Sequence, residues 1–409
     1  MFPNPFARLF ASGDGVDLPA PSTYRRPTLA QHLAPEGRKR VLALDGGGLR
    51  GAITIAVLER IEDILRARHG NDPAFRLCDY FDLVGGTSTG SIIAAALAAK
   101  RMTAREVREL YSELGPDVFR GSPFRRGFTR AVFDGGRLKR QLKRILGDLT
   151  LGSPEIATGF AVVAKRIDTS STWVLHNNPR GQFFYDGEGE SGRFTGNSAY
   201  PLANIVRAST AAPHYFRPER IEIIPGKEWG LFMDGGVTPH NNPAFQMLML
   251  AGLQGYRFNW TLNADNLMMI SVGTGSMAEK IPERAFRRRL QLASTIGALS
   301  DMITGAEDFI ELLMQWVGDC PEPRTIDLEV GDQAGEFLGG EPALAYQRYQ
   351  CTLTAKALKR DLELSYSDKE IALIRDMTNP KALPYAFEIG EGMAARLVKE
   401  THFPERFDL

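Results

Sequence analysis

Along the first hundred residues, apolar runs end in glycine, and each is followed by helical spacing. Residues 39–45 (Lys-Arg-Val-Leu-Ala-Leu-Asp) read as a buried strand and Gly46–Gly48 as a turn. Residues 52–67 then place Ile53, Val57, Ile61, Ile64 and Leu65 on one side of a helix. A second strand is predicted at Tyr80–Val84, ending in Gly85-Gly86, and the small-residue stretch Ser88–Ala99 reads as a helix packed closely on a sheet. Strand, turn, helix, repeated, is the order of a parallel sheet with crossover helices. Residues 159–166 and 171–176 read as strands joined by Asp168-Thr169-Ser170, and residues 182–197 as a Gly-rich, acidic surface loop. Leu231–Met233 is a short strand entering Asp234-Gly235-Gly236, and Leu267–Val272 ends in Gly273-Thr274-Gly275. Beyond about residue 280 glycine turns thin out and helical spacing dominates, as in Ala285–Ile303 and Asp368–Met377. The expectation is an α/β protein: an extended arm over 1–38, an α/β body over 39–280, and a mainly helical region over 281–409.

Composition narrows the function. The 409 residues are 43% hydrophobic and 24% charged, enough for a substantial core. Lys+Arg and Asp+Glu number 49 each, so no net field draws the chain to a nucleic-acid polymer. Cys78, Cys320 and Cys351 form no CxxC pair and read as buried free thiols. No apolar leader core opens the chain, and Ile92–Ala99 is far short of the roughly 18 residues that span a bilayer. A cytoplasmic protein is expected, one that meets any lipid transiently at the membrane surface. In the arm, Phe2, Phe6, Leu9 and Phe10 share a helical face beside Arg8. Docking on the protein's own body is the preferred reading of that face, with an interfacial anchor as the alternative. The basic positions Arg125, Arg126, Arg130, Arg137, Lys139, Arg140, Lys143 and Arg144, and Arg284 with Arg287–Arg289, read as solvated helix faces. Contact with anionic headgroups or a regulatory nucleotide is the alternative there. Asp186-Gly-Glu-Gly-Glu190 lacks calcium-loop spacing, so no metal is assigned.

Two glycine motifs carry candidate chemistry. Gly86-Thr87-Ser88-Thr89-Gly90 fits G-x-S-x-G between a strand and a helix. A turn that tight pushes a serine Oγ out at the carboxyl edge of the sheet, beside the positive end of the next helix. The bland alternative is a glycine turn with a helix-capping serine. Asp45-Gly46-Gly47-Gly48-Leu49-Arg50-Gly51 occupies the same kind of position and has two readings. Gly46, Gly48 and Gly51 satisfy the dinucleotide fingerprint, but the acidic residues at the required spacing, Glu62 and Asp63, fall inside the predicted helix. Alternatively, successive glycine amides converge on a developing oxyanion, with Arg50 adding charge or bracing the loop. The loop by itself leaves both open.

A nucleophilic serine needs a base. Of the six histidines, His32 and His69 precede the serine, His240 stands only six residues beyond Asp234, and His402, though in a hydrolase-like order, has no strand-end loop before it. Asp234 follows an apolar strand and precedes two glycines, so it can reach the same sheet edge as Ser88. Desolvation in an apolar cleft would make it a better base than an exposed carboxylate.

Taken together, Asp45–Gly51, Gly86–Gly90 and Asp234-Gly235-Gly236, in this order and spacing, resemble the patatin-like phospholipase family. Ala208-Ser-Thr-Ala-Ala-Pro213 with Tyr215-Phe216, and Val237 through Asn241-Asn242-Pro243, also look like family signatures. The resemblance covers about residues 39–275. It implies a patatin-type three-layer α/β/α fold with a mostly parallel central sheet and a helical C-terminal region. It further implies a phospholipase A or lysophospholipase-type acyl hydrolase with no cofactor, acting on phospholipid or another acyl-ester lipid. By that resemblance Ser88 is the nucleophile and Asp234 its base. Gly47 and Gly48, with Thr89 and Arg50, belong to the oxyanion hole, and Asp45, Gly46, Gly51, Gly86, Gly90, Gly235 and Gly236 support them. Asn241 and Asn242 either fix the loop behind Asp234 or simply form its turn. The competing readings are a dinucleotide-binding oxidoreductase and a catalytically silent patatin-like interaction module.

Overall fold

The computed structural model describes residues 24–119, 133–189, 192–277 and 292–409, with side chains from residue 301 in the last segment. Eleven strands are described: β1 Lys39–Leu44, β2 Leu83–Thr87, β3 Gly159–Arg166, β4 Ser171–His176, β5 Gly187–Gly189, β6 Gly192–Phe194, β7 Glu219–Ile224, β8 Glu228–Asp234, β9 Leu267–Val272, β10 Gly318–Asp319 and β11 Leu344–Tyr349. All but β5 and β6 belong to one sheet, ordered β10-β11-β9-β1-β2-β3-β8-β7, with β4 also on β3. From β10 to β3 the pairings are parallel; β4, β8 and β7 run antiparallel.

Strand alternation explains the three layers. Along β1, Leu42 and Leu44 join one apolar core while Val41 and Ala43 join another on the opposite face. The first core is covered by the helices Gly51–Arg68, Thr89–Lys100, Ala104–Val118 and Leu383–Leu397, the second by Ala244–Gly252 and Leu292–Val317. Strands buried on both faces read as continuous apolar runs, as the sequence of β1 and β9 does.

The second strand lies three residues later than its apolar run suggested. Tyr80 ends a short helix, Leu77–Tyr80, and Gly85 and Gly86 are inside β2. Glycine is ordinarily poor in strands, but here space requires it. A Cβ on Gly85 would lie 2.1 Å from Met247 Sδ on the helix Ala244–Gly252. Within the stretch read as an extended arm, Leu29–Leu33 is a helix, started by a Thr28–Gln31 capping box and tied down by His32 Nδ1 at 2.8 Å from Asp82. Tyr24 hydroxyl donates to Asp79 at 2.6 Å. The apolar face at Phe2–Phe10 lies outside the described residues, as do Arg125, Arg126, Arg130, Arg284 and Arg287–Arg289. Residues 182–197 contain the β5–β6 hairpin rather than loop alone. The C-terminal region is mainly helical, and it also returns β11 to the sheet beside β9, so the sheet continues past residue 280. Among the described residues no helix is long and apolar enough to cross a membrane.

The register of β3 sets up the site. Its residues 161–166 pair with β4 along one edge. The other edge is shared: Gly159–Val163 pair with β2, and Ala164–Arg166 pair with β8. Thr87 stands opposite Val163 and Asp234 opposite Ala164. The two strands therefore meet end to end, and the residue after β2 faces the last residue of β8.

Candidate active site

Ser88 sits at that junction, between β2 and the helix Thr89–Lys100. Its φ of 52° and ψ of −123° are rarely adopted by a side-chain-bearing residue. The strain is held by neighbours. Ser88 N donates to Ser209 Oγ at 2.9 Å, Ser209 Oγ donates to Val163 O at 2.7 Å, and Ser91 Oγ donates to Ser88 O at 2.6 Å. The elbow closes only because its flanking residues lack side chains. A Cβ on Gly86 would lie 2.3 Å from the Gly90 carbonyl, and one on Gly90 would lie 2.2 Å from Leu44 O. Both obstacles are backbone, so Gly90→Ala is expected to lose about 1–3 kcal/mol of stability, or more, in urea unfolding. An unchanged midpoint would show that the elbow has slack.

Asp234 ends β8. Its Oδ2 accepts from Ser88 Oγ at 2.6 Å, its Oδ1 accepts from Gly236 N at 2.7 Å, and its own amide donates to Ala211 O at 3.1 Å. Burial pushes this carboxyl up to about 6, against the opposing pull of the Ser88 and Gly236 hydrogen bonds and of Arg207. Gly235 and Gly236 carry the chain away in a tight 3₁₀ turn.

The glycine loop leaves the end of β1 beside Ser88. Asp45 is held by Arg348 from β11, through Nη2–Oδ2 at 2.6 Å and Nη1–Oδ1 at 3.1 Å. Gly46 N donates to Asn241 O at 3.1 Å, and Gly46 O accepts from Thr274 Oγ1 at 2.8 Å. Gly48 has φ +57° and presses on Met377, whose carbonyl accepts from Leu49 N at 2.8 Å. The Gly47, Gly48 and Thr89 amides make no hydrogen bond to a described residue. Thr89 Oγ1 lies 2.6 Å from Tyr111 OH, which also bonds Gly48 O. Gly51 opens the helix Gly51–Arg68 against this pair. Arg50 is buried. It donates to Gly275 O at 3.1 Å and reaches Met377 Sδ at 3.2 Å. Those contacts brace the loop.

Ser88, Asp234 and the loop line one cavity of about 310 Å³, walled by apolar side chains including Ile92, Leu114, Val118, Phe119, Leu138 and Phe216. No histidine is among the described residues that line it. His402 lies under β11, its Nδ1 2.9 Å from Tyr349 OH. Glu62 accepts from Ala104 N at 2.9 Å, and Asp63 pairs with Arg66, so neither carboxylate turns to the glycine loop as a ribose ligand would. The helix Gly135–Leu146 buries Leu138, Leu142 and Leu146, and Lys139 on it pairs with Glu219 at 2.5 Å. Sequence reasoning missed the supports that come from afar: Ser209, Tyr111, Glu307, Arg348 and Met377. No local motif marks them, apart from the 208–213 segment that contains Ser209.

The family model for patatin-like phospholipases matches residues 42–248, which hold the glycine loop, the serine elbow and the aspartate turn. The chain belongs to the patatin-like phospholipase family. It is 27% identical over 244 residues to the cGAMP-activated phospholipase of Escherichia coli (strain TW11681), covering 58% of this chain and 62% of that protein. It is 28% identical over 253 residues to Patatin-16 of Solanum tuberosum, covering 58% and 61%. It is 26% identical over 296 residues to an Arabidopsis thaliana protein named "Probable inactive patatin-like protein 9", covering 69% and 72%. The chain thus spans about six tenths of the first two relatives. These relatives include one named as a phospholipase and one named as probably inactive.

Proposed function

We propose that this protein is a serine acyl hydrolase of phospholipase A or lysophospholipase type, working through a Ser88–Asp234 dyad on fatty-acyl esters of membrane lipids. The observation that carries the proposal is the 2.6 Å hydrogen bond from Ser88 Oγ to Asp234, in the wall of an apolar cavity. A silent scaffold would have no use for a strained serine paired with a desolvated carboxylate.

Ser88 Oγ attacks the ester carbonyl carbon while its proton passes to Asp234 Oδ2. Charge developing on the carbonyl oxygen is met by the Gly47 and Gly48 amides, with the Thr89 amide at the helix start. The carbon–oxygen bond to the lipid alcohol breaks, and the alkoxide leaves with the proton from Asp234. Water then attacks the acyl-Ser88 ester, giving its proton to Asp234, and the fatty acid departs as Ser88 regains a proton. An apolar cavity suits an acyl chain, and a bilayer substrate requires transient contact with the membrane surface. Arg50 keeps the loop in shape without touching the reacting atoms.

This mechanism fixes a pH dependence. Only the ionised Asp234 accepts a proton, and its pKa lies near 6. The value of kcat/KM is therefore expected to fall as pH drops below about 6, approaching roughly tenfold per unit, and to level off above it. A profile flat from pH 4.5 to 8 in initial-rate assays would exclude Asp234 as the base.

A further inference from the structure

Glu307 lines the cavity, yet the reaction above gives it no part. It stands on the helix Leu292–Val317, beyond the segment 42–248 that matches the family. Its Oε1 accepts from Asn241 Nδ2, and the same amide nitrogen also donates to Gly46 O at 3.3 Å. Asn241 is wedged between two loops. Its backbone oxygen receives Gly46 N at 3.1 Å. Its side-chain oxygen lies so close to both glycines that a Cβ on Gly46 would fall 2.2 Å from it, and one on Gly236 2.6 Å. One side chain thus sets the gap between the loop offering the oxyanion amides and the turn leaving Asp234. Without Glu307, the long bond to Gly46 O is the only described hydrogen bond left to that amide nitrogen.

We propose that Glu307 is a positioning residue: by holding the Asn241 amide it fixes the spacing of the Gly46–Gly48 loop against the Asp234 turn, so that dyad and oxyanion amides converge on one carbonyl. This rests on the acyl-hydrolase reading above. The physical need is strict, because a displacement of about 1 Å between catalytic groups costs up to about a hundredfold in rate. Glu307 is suited to the task electrostatically. Burial, and then the negative charge of Asp45, push its carboxyl up to about 7, with Arg348, the Asn241 bond and Arg50 pulling the other way. Burial thus favours its neutral form more than it would for an exposed glutamate. A neutral acceptor of the same length satisfies the same amide, which makes Glu307→Gln the conservative variant.

The test compares wild type with Glu307→Gln, Glu307→Asp, Glu307→Leu, Asn241→Ala and the Asn241→Ala/Glu307→Leu double variant. A soluble chromogenic short-chain ester reports kcat and KM, and a fluorophosphonate reports the reactivity of Ser88. Glu307→Leu is expected to lower kcat by about tenfold to a hundredfold with KM nearly unchanged, and to slow fluorophosphonate labelling in parallel. Glu307→Gln should recover most of that loss. Glu307→Asp keeps the charge but withdraws the acceptor by one methylene, and should remain impaired. In the Asn241→Ala background the further effect of Glu307→Leu should vanish, since both act through one contact. Wild-type kcat in Glu307→Leu, an additive double variant, or a sound Glu307→Asp beside a crippled Glu307→Gln each overturns the proposal. If Glu307→Leu fails to fold, the Gln and Asp variants still decide, because contact and charge predict opposite orders. Wild type that neither turns over nor labels removes the acyl-hydrolase reading, and this inference with it. Labelled wild type with indifferent Glu307 variants overturns this inference alone.

Discussion

Replacing Ser88 by alanine is expected to lower fatty-acid release from mixed phospholipid vesicles by about a thousandfold or more, to the background of the vesicles alone. The size follows from the chemistry: without Oγ no acyl-enzyme forms, and the amides of the glycine loop can only polarise an ester for attack by water. The fold should survive. Ser88 N and O keep their bonds to Ser209 and Ser91, neither of which uses the Ser88 side chain. The change also frees the buried Asp234 from one hydrogen-bond donor while leaving Gly236 N in place. Release that persists near the wild-type rate would move the nucleophile elsewhere.

Asp234→Asn is expected to lower kcat by about a hundredfold to ten-thousandfold, the usual range for losing a general base. The substitution is nearly isosteric. The amide oxygen of asparagine can still accept from Gly236 N, so the turn at 234–236 should hold its shape. What is lost is the acceptor for the Ser88 proton. The residual activity should also lack the inflection near pH 6 that the proposed mechanism predicts for wild type. Retention of the inflection in Asp234→Asn would assign it to another group, Glu307 being the nearest candidate by its own elevated pKa of about 7.

The parts of the candidate site whose placement was legible from sequence are those that one strand end or one turn determines. An apolar run into Gly46–Gly48, a serine two residues past Gly86, and an aspartate before Gly235-Gly236 each announce a sheet edge by local rules. What brings them together is not local. The head-on meeting of β2 and β8 depends on β3 being long enough to share one edge between them, and no residue of β3 declares that. The C-terminal strand hid itself for a different reason. β11 reads Leu-Ala-Tyr-Gln-Arg-Tyr, and its buried Gln347 and Arg348 resemble surface positions. Arg348 is inside because Asp45 and Glu311 meet it there, at 2.6 and 3.0 Å, and a buried ion pair has no sequence signature until both partners are placed. Likewise Glu307 on its helix looks like any polar residue until Asn241 is found beside it. Gly85 and Gly86 misled in the opposite sense: residues that usually end a strand are inside β2 because Met247 and Gly90 leave no room for a Cβ.

In the proposed mechanism Ser88 is a nucleophile activated by Asp234 and by no histidine. The most direct test is covalent labelling with a fluorophosphonate, mapped by peptide mass spectrometry, in wild type, Ser88→Ala, Asp234→Asn and His402→Ala. The expected result is a single adduct on Ser88 in wild type, none in Ser88→Ala, much slower labelling in Asp234→Asn, and labelling at the wild-type rate in His402→Ala. An adduct on another residue, or loss of labelling in a folded His402→Ala, would contradict it.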